Sequence, residues 1–315
     1  MAGNKALGAM FGAAAVDTFM GLPRCRDLSR LSAKIALIGA DGCTPYPAVG
    51  FYCAGGPAVI RAAGAVYAAN LGHMNFDLGG PVFPGAAEAV DAGDLPQHEA
   101  DPEGNRARVF GAISTILDRG GVPFLLGGDD SLPIPMLEAF GARNRTYWIL
   151  QIDAHIDWRD EVGGERLGLS STMRRASEMD HIEGIVQVGS RGIGSARVSD
   201  VQDATDWGVA FVPAGQVARD GVGAAVDLIP EGAHVIVCLD VDALDPSVMP
   251  AVIGRTAGGL SYWQVLELIG GVAEKARVAG FDLVEFMPDR DVDGLGAMLA
   301  AQLLAAVMGI VARQG

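Results

Sequence analysis

The stretch HVIVCLDVDALDPS, residues 234–247, decides the fold. Its first half is an unbroken apolar run. A strand with one wet face alternates apolar and polar residues, whereas a strand covered on both faces does not. The run therefore reads as a buried strand of a parallel sheet. Its second half sets Asp240, Asp242 and Asp245 at the carboxyl end of that strand. Ligands of open α/β sheets collect at that end.

Working outward, six further runs have the same unbroken character: KIALIG (34–39), PFLLGG (123–128), YWILQID (147–153), GIVQVGS (184–190), VAFVP (209–213) and GFDLVEF (280–286). Helical patterns lie between most of them, and GLGAMLAAQLLAAVMGIVARQ closes the chain. Strand–helix alternation over the whole length predicts an α/β fold. The expected architecture is one domain over residues 1–315, a three-layer αβα sandwich around a mainly parallel sheet.

The strand ends carry the chemistry. PFLLGG runs into Asp129, Asp130 and Ser131, and WILQI into Asp153, His155 and Asp157. VIVCL runs into Asp240 and Asp242, and FDLV into Glu285. Residues two apart on a strand point the same way, so each D-x-D or D-x-H pair is expected on one side. A lone D-x-D is more often a turn or a cap. Several strand ends loaded together call for another explanation, because clustered carboxylates at low dielectric raise one another's pKa. Two divalent cations would remove that conflict, and such a pair can activate a shared water near neutral pH. Carboxylate and imidazole donors suit first-row ions such as Mn²⁺, Ni²⁺ or Zn²⁺.

Composition narrows the field. The net charge of −15, from 23 basic and 38 acidic residues, argues against a nucleic-acid partner. Cys25, Cys43, Cys53 and Cys238 form no C-x-x-C pair, so neither a structural zinc nor a disulfide framework is expected. The sequence shows no evident membrane-spanning run and no convincing signal peptide, which predicts a cytoplasmic protein without membrane contacts.

These motifs together resemble the ureohydrolases: arginase, agmatinase, guanidinobutyrase and relatives. IALIGADGCTPYPAVGFYCAGGPAVIRAA resembles the family's first strand and Gly-Pro-x-x-x-Arg helix start, and VDAGDL its Gly-Asp segment. QIDAHID matches D-A-H-x-D, VCLDVDALDPS matches D-x-D-x-x-D-P, and FDLVEFMPDRD resembles the last strand. The resemblance implies a dinuclear centre of Mn or Ni. Asp153 and Asp240 would bridge the ions, Asp157 would serve the first, and His155 and Asp242 the second. Asp130 stands at a further ligand position. Glu285 would pair with the substrate's guanidinium, and Asp245 would support the motif loop. Family members attack the guanidinium carbon with a metal-bridging hydroxide, expel an amine and release urea. A trimer or hexamer is also implied.

The chain departs from that pattern. The family's G-G-D-H-S is Gly127-Gly128-Asp129-Asp130-Ser131, so Asp130 stands for a histidine ligand. In LGLSSTMRRASEM, Leu169 stands for the histidine assigned to proton shuttling. Thr256 and Gly296 replace a glutamate and a threonine expected around the same pocket. An extra carboxylate retains metal but disfavours ionisation of a bridging water. Losing a general acid/base group typically costs about 10²–10⁴ in rate. Leu169 and Trp158 would then offer an apolar wall to a small guanidine-type substrate bearing alkyl groups. The departures also fit a weakly catalytic or non-catalytic subunit paired with an active ureohydrolase, as in a heteromeric biguanide (metformin-type) hydrolase. Arg174 and Arg175 are read as subunit-interface salt-bridge residues, and His73 as bordering the pocket entrance or a subunit contact.

Overall fold

The computed structural model describes residues 16–85, 88–194 and 196–315. Residues 1–15 lie outside them. In chain order the elements are β1 (Ile35–Gly39), α1 (Gly56–Gly64), β2 (Ala89–Asp94), α2 (Pro102–Asp118), β3 (Val122–Leu126), α3 (Pro133–Phe140) and β4 (Tyr147–Ile152). There follow α4 (Thr172–Ala176), β5 (Ile182–Val188), α5 (Val198–Trp207), β6 (Ala210–Val212), α6 (Ala214–Asp220) and α7 (Gly223–Leu228). The chain ends with β7 (His234–Asp240), α8 (Tyr262–Lys275), β8 (Arg277–Val284) and α9 (Leu295–Arg313).

Among the described residues these strands form one sheet in the order β2-β1-β3-β8-β7-β4-β5-β6, every pairing parallel. The strands read as unbroken because each face is covered. Val235, Val237 and Leu239 of β7 enter one core with Ile60 of α1, Val265 of α8 and Leu304 of α9. Ile236 and Cys238 enter the other with Val109 of α2, Met136 of α3 and Met173 of α4. The period-two alternation of a strand thus separates two cores, one per layer of helices.

Two expectations need correction. Ala89–Asp94 is an edge strand, β2, and was not anticipated as one. It is short of apolar residues because a salt bridge does part of its packing. Arg61 of α1, itself buried, sets Nε 2.8 Å and Nη2 3.1 Å from the two oxygens of Asp91 and also pairs with Asp94. Second, α9 is long and apolar enough to cross a bilayer by length and composition. Here it is a core helix, with 13 of its 19 residues buried.

Arg61→Leu should destabilise the protein by about 3–5 kcal/mol, because it leaves the Asp91 carboxylate buried without its cation. A urea unfolding midpoint checks this. An unchanged midpoint would show that α1 holds the edge strand without this pair.

The sheet order positions the site. β3, β8, β7 and β4 are consecutive, so their carboxyl ends adjoin although they come from distant parts of the chain.

Candidate metal centre and active site

At three of these ends, those of β3, β4 and β7, the chain turns in a similar way. Asp129 accepts from the Ser131 N–H (3.0 Å), Asp153 from the His155 N–H (2.6 Å) and Asp240 from the Asp242 N–H (2.7 Å). Asp245 repeats it with Ser247 (3.0 Å). An aspartate that bonds the backbone two residues on closes a turn in place of the next ladder rung. The D-x-H and D-x-D pairs do reach one cleft, as their spacing predicts, but beyond the strand ends it is these turns rather than the pleat that place them. The turns aim them into the mouth of the sheet.

Asp129 and Asp130 answer the problem of adjacent buried acids differently. Asp129 turns inward and is met by the Ser131 N–H and hydroxyl and the Cys43 N–H, so no ion is needed there. Asp130 faces the cluster, and its Oδ2 is buried without a partner. Gly128 permits this loop to form: a Cβ there would sit 2.0 Å from the Asp41 carbonyl oxygen.

Two ligand-competent groups result. Asp130, Asp153 and Asp157 offer oxygens within 4.8 Å of one another, and so do donor atoms of Asp153, His155 and Asp242. Asp153 belongs to both. His155 Nδ1 lies 3.0 Å from Asp242 Oδ2 and 3.4 Å from Asp153 Oδ1. Asp240 lines the same cleft but falls outside both groups. Asp157 and Glu285 take left-handed backbone angles (φ 44° and 68°), which non-glycine residues adopt at a cost. The Glu285 N–H donates to the Gly128 carbonyl at 2.7 Å, which holds that conformation.

The electrostatics describe a site with too much negative charge. Burial, then neighbouring carboxylates, push Asp130, Asp157 and Asp240 far above the usual range. Asp242 rises for the same reasons. Burial also opposes Asp153, but hydrogen bonds with His155 and Asp157 outweigh it and hold it at about 2. Burial disfavours a charged His155, yet Asp153 and Asp242 raise it to about 12. An orphaned carboxylate oxygen among mutually repelling, oxygen-rich donors fits divalent cations.

The cleft above these groups is about 250 Å³. Glu285 stands in its wall, where Oε1 accepts from the Tyr52 hydroxyl (2.5 Å) and the Asp130 N–H (2.9 Å). Burial pushes its carboxyl up to about 8. Leu169, Ile253 and Trp158 add apolar surface. Trp158 is buried, and its indole N–H reaches Asp203 at 2.9 Å, so it both walls the cleft and fills core. Arg159 also lines the cleft but is paired with Asp200 at 2.7 Å.

Other sequence expectations are revised. Arg174 pairs with Asp203, and Arg175 with Asp160 and Glu178, so these charges are answered within the chain. His73 does not line the carboxylate cleft and lies instead in a separate hollow with Tyr262 and Asp77. Thr256 and Gly296 are not in the cleft lining either. A Cβ at Gly296 would come within 2.9 Å of the Ala251 Cβ, so close packing requires glycine there. Asp245, as expected, supports its loop by also accepting from the Gly258 and Gly259 N–H groups.

Sequence reasoning missed Tyr52 and Arg191. The Arg191 guanidinium donates to the carbonyls of Asp242, Ala243, Leu244 and Thr256, tying the D-x-D loop to the next one. Its position just past the end of β5 was the available signal. Tyr52 had none.

The Arginase family model matches residues 36–309. The N(1)-aminopropylagmatine ureohydrolase of Thermococcus kodakarensis is 30% identical over 287 residues, covering 90% of this chain and 92% of that protein. Proclavaminate amidinohydrolase of Streptomyces clavuligerus is 30% identical over 311 residues, covering 95% and 94%. A solved structure of the latter superposes with a TM-score of 0.80 at 28% identity, over 96% of this chain and 99% of that one.

Proposed function

The chain belongs to the arginase family of ureohydrolases, and from that premise we propose that it hydrolyses a C–N bond of a guanidine- or biguanide-type cation, releasing urea or a urea-like product and an amine. One observation carries the proposal: Asp153 is shared by two ligand-competent groups beneath a cleft walled by Glu285. Asp130, Asp153 and Asp157 would hold one ion and Asp153, His155 and Asp242 the other, with Asp240 bridging as the resemblance implies. Two divalent cations bound there, Mn or Ni, would neutralise the carboxylates and supply Lewis acidity and an activated water.

The chain's own residues do the rest. Glu285 Oε1 is engaged by Tyr52 and the Asp130 N–H, which leaves Oε2 for the substrate. A guanidinium meets a carboxylate in planar, charge-assisted hydrogen bonds and offsets its burial. The excess of acids excludes anionic substrates. Among the described residues the wall's one cation other than His155 is Arg159, which is paired with Asp200, so the described wall disfavours a carboxylate-tailed guanidine. Leu169, Ile253 and Trp158 favour an uncharged, alkyl-bearing tail. Elemental analysis of the isolated protein, beside a urea-release screen over guanidines and biguanides, tests the proposal. A protein free of transition metal and silent on every substrate would refute it.

Tyr52→Phe should raise KM about tenfold with a smaller change in kcat. The hydroxyl's hydrogen bond to a charged group is worth about 1.5–3 kcal/mol and orients Glu285 before substrate arrives. An unchanged KM would remove Tyr52 from the site.

A second reading rests on Leu169, which lines the cleft where the resemblance calls for the proton-shuttling histidine. In it the chain is a weakly catalytic or non-catalytic partner of a related active ureohydrolase, in a homo- or hetero-oligomer of the cytoplasm. Turnover that appears only on co-expression with such a relative would support it.

A further inference from the structure

Beneath the carboxylates lies a row of polar residues buried within otherwise apolar strands. Gln187 of β5, Gln151 of β4, Cys238 of β7 and Asp282 of β8 are register partners across four adjacent strands. Both glutamines are only 1% exposed. Burying two amides here needs a reason, and their hydrogen bonds supply one.

The direction of those bonds follows from elementary chemistry. Gln187 Nε2 lies 2.7 Å from the Ile156 carbonyl oxygen. A carbonyl only accepts, so Gln187 must present its NH₂ group on that side. The same nitrogen donates to Gln151 Oε1. Gln151 must therefore turn its own NH₂ the other way, where Nε2 lies 2.8 Å from Asp153 Oδ2 and 2.6 Å from Asp157 Oδ2. An amide nitrogen carries two hydrogens, and both are given to carboxylates. The relay is anchored on the backbone of Ile156, between His155 and Asp157, so it cannot flip without losing that bond.

We propose that Gln151 is a positioning residue for the cation pair, with Gln187 fixing which way its amide faces. The inference rests on the dinuclear reading of the site. Gln151 ties Oδ2 of Asp153 to Oδ2 of Asp157, orienting both carboxylates before an ion arrives. It does so as a neutral donor, adding no charge to a site that already carries an extra acid at Asp130. A lysine there would compete with the ions, and a glutamate would add repulsion. Outer hydrogen-bond partners of ligating groups typically change metal affinity by about 10–100-fold when removed.

The test is Mn²⁺ binding to the full chain, followed by calorimetry and by elemental analysis after dialysis. Gln151→Met keeps the length of the side chain and removes the donors. It should weaken by about 10–100-fold the ion held with Asp157, while the ion held by His155 and Asp242 is less affected. Gln187→Met, which frees the Gln151 amide to rotate, should have a smaller effect in the same direction. Asp157→Asn combined with Gln151→Met should lose less affinity at that site than the two single losses combined, because part of the clamp acts through Asp157 and only its hold on Asp153 is left to remove. Fully additive losses would show that Gln151 acts independently of Asp157, and would overturn the proposal. So would two ions bound by Gln151→Met with unchanged affinity. Should that variant not fold, Gln187→Met decides, and unchanged Mn²⁺ affinity there overturns the clamp. A wild-type chain that binds no ion would bring down the dinuclear reading itself, an outcome distinct from a clamp that proves dispensable.

Discussion

Asp153→Asn should release both cations from the protein in one step. Most ligand substitutions in a dinuclear centre affect one ion more than the other. Asp153 differs because its carboxylate is common to the Asp130–Asp157 group and to the His155–Asp242 group. Its carboxyl is also held ionised at about 2, while Asp130, Asp157 and Asp240 are pushed far above the usual carboxylate range. An amide in its place is a poor ligand for both ions. Elemental analysis should find two ions per wild-type chain and none in the variant. A thermal shift supplies an activity-independent check. A ligand that binds only the folded state stabilises it by about 2.7 kcal/mol per site at a hundred times its dissociation constant. Titrated Mn²⁺ should raise the wild-type melting temperature and leave that of Asp153→Asn unchanged. Asp157→Asn, which lies in one group, should keep a partial response. Two ions retained by Asp153→Asn would mean that the groups do not share this carboxylate.

The parts of this site legible in the sequence are those where burial leaves a mark on composition. The strands β3, β4, β7 and β8 stood out because cover on both faces demands unbroken apolar runs, and their acidic ends stood out against that background. The adjacency of those ends was not readable. It depends on which helices fill which face of the sheet, and strand spacing along the chain carries no trace of it. The edge strand β2 escaped notice because Arg61 and Asp91 replace hydrophobic cover there. The D-x-D motifs were located for a reason the structure revises, since turns closed by the first aspartate aim the second. Gln151 and Gln187 could have been found. Each is the lone polar residue inside an otherwise apolar run, in YWILQI and GIVQV, and the register pairs them directly. Tyr52 lies on the long connection after β1 and reaches Glu285 only through the fold.

Leu169→His together with Asp130→His should raise urea release from a guanidine by about 10²–10⁴, the range a positioned acid/base group contributes. The geometry suits the change. Leu169 opens a short turn, Leu169–Ser171, and lines the same cleft as Glu285. The backbone there is held: the Ser170 N–H donates to the Tyr46 hydroxyl at 3.3 Å, and Gly168 packs so closely on that ring that a Cβ would sit 2.1 Å from it. A side chain introduced at 169 is therefore directed into the cleft. His155 cannot take its place, because it is engaged between Asp153 and Asp242. At Asp130 the change removes one of five negative charges facing two divalent ions. That restores a neutral donor and eases ionisation of water at the centre. The two substitutions act on different parts of one reaction, so Asp130→His alone should alter metal affinity and Leu169→His alone the rate at saturating substrate. A gain in the double variant would identify the site as the family's centre with its proton relay removed. An unchanged rate with both ions retained would identify it instead as a pocket rebuilt for a different leaving group. Activity that still needed a second kind of subunit would assign this chain the partner role.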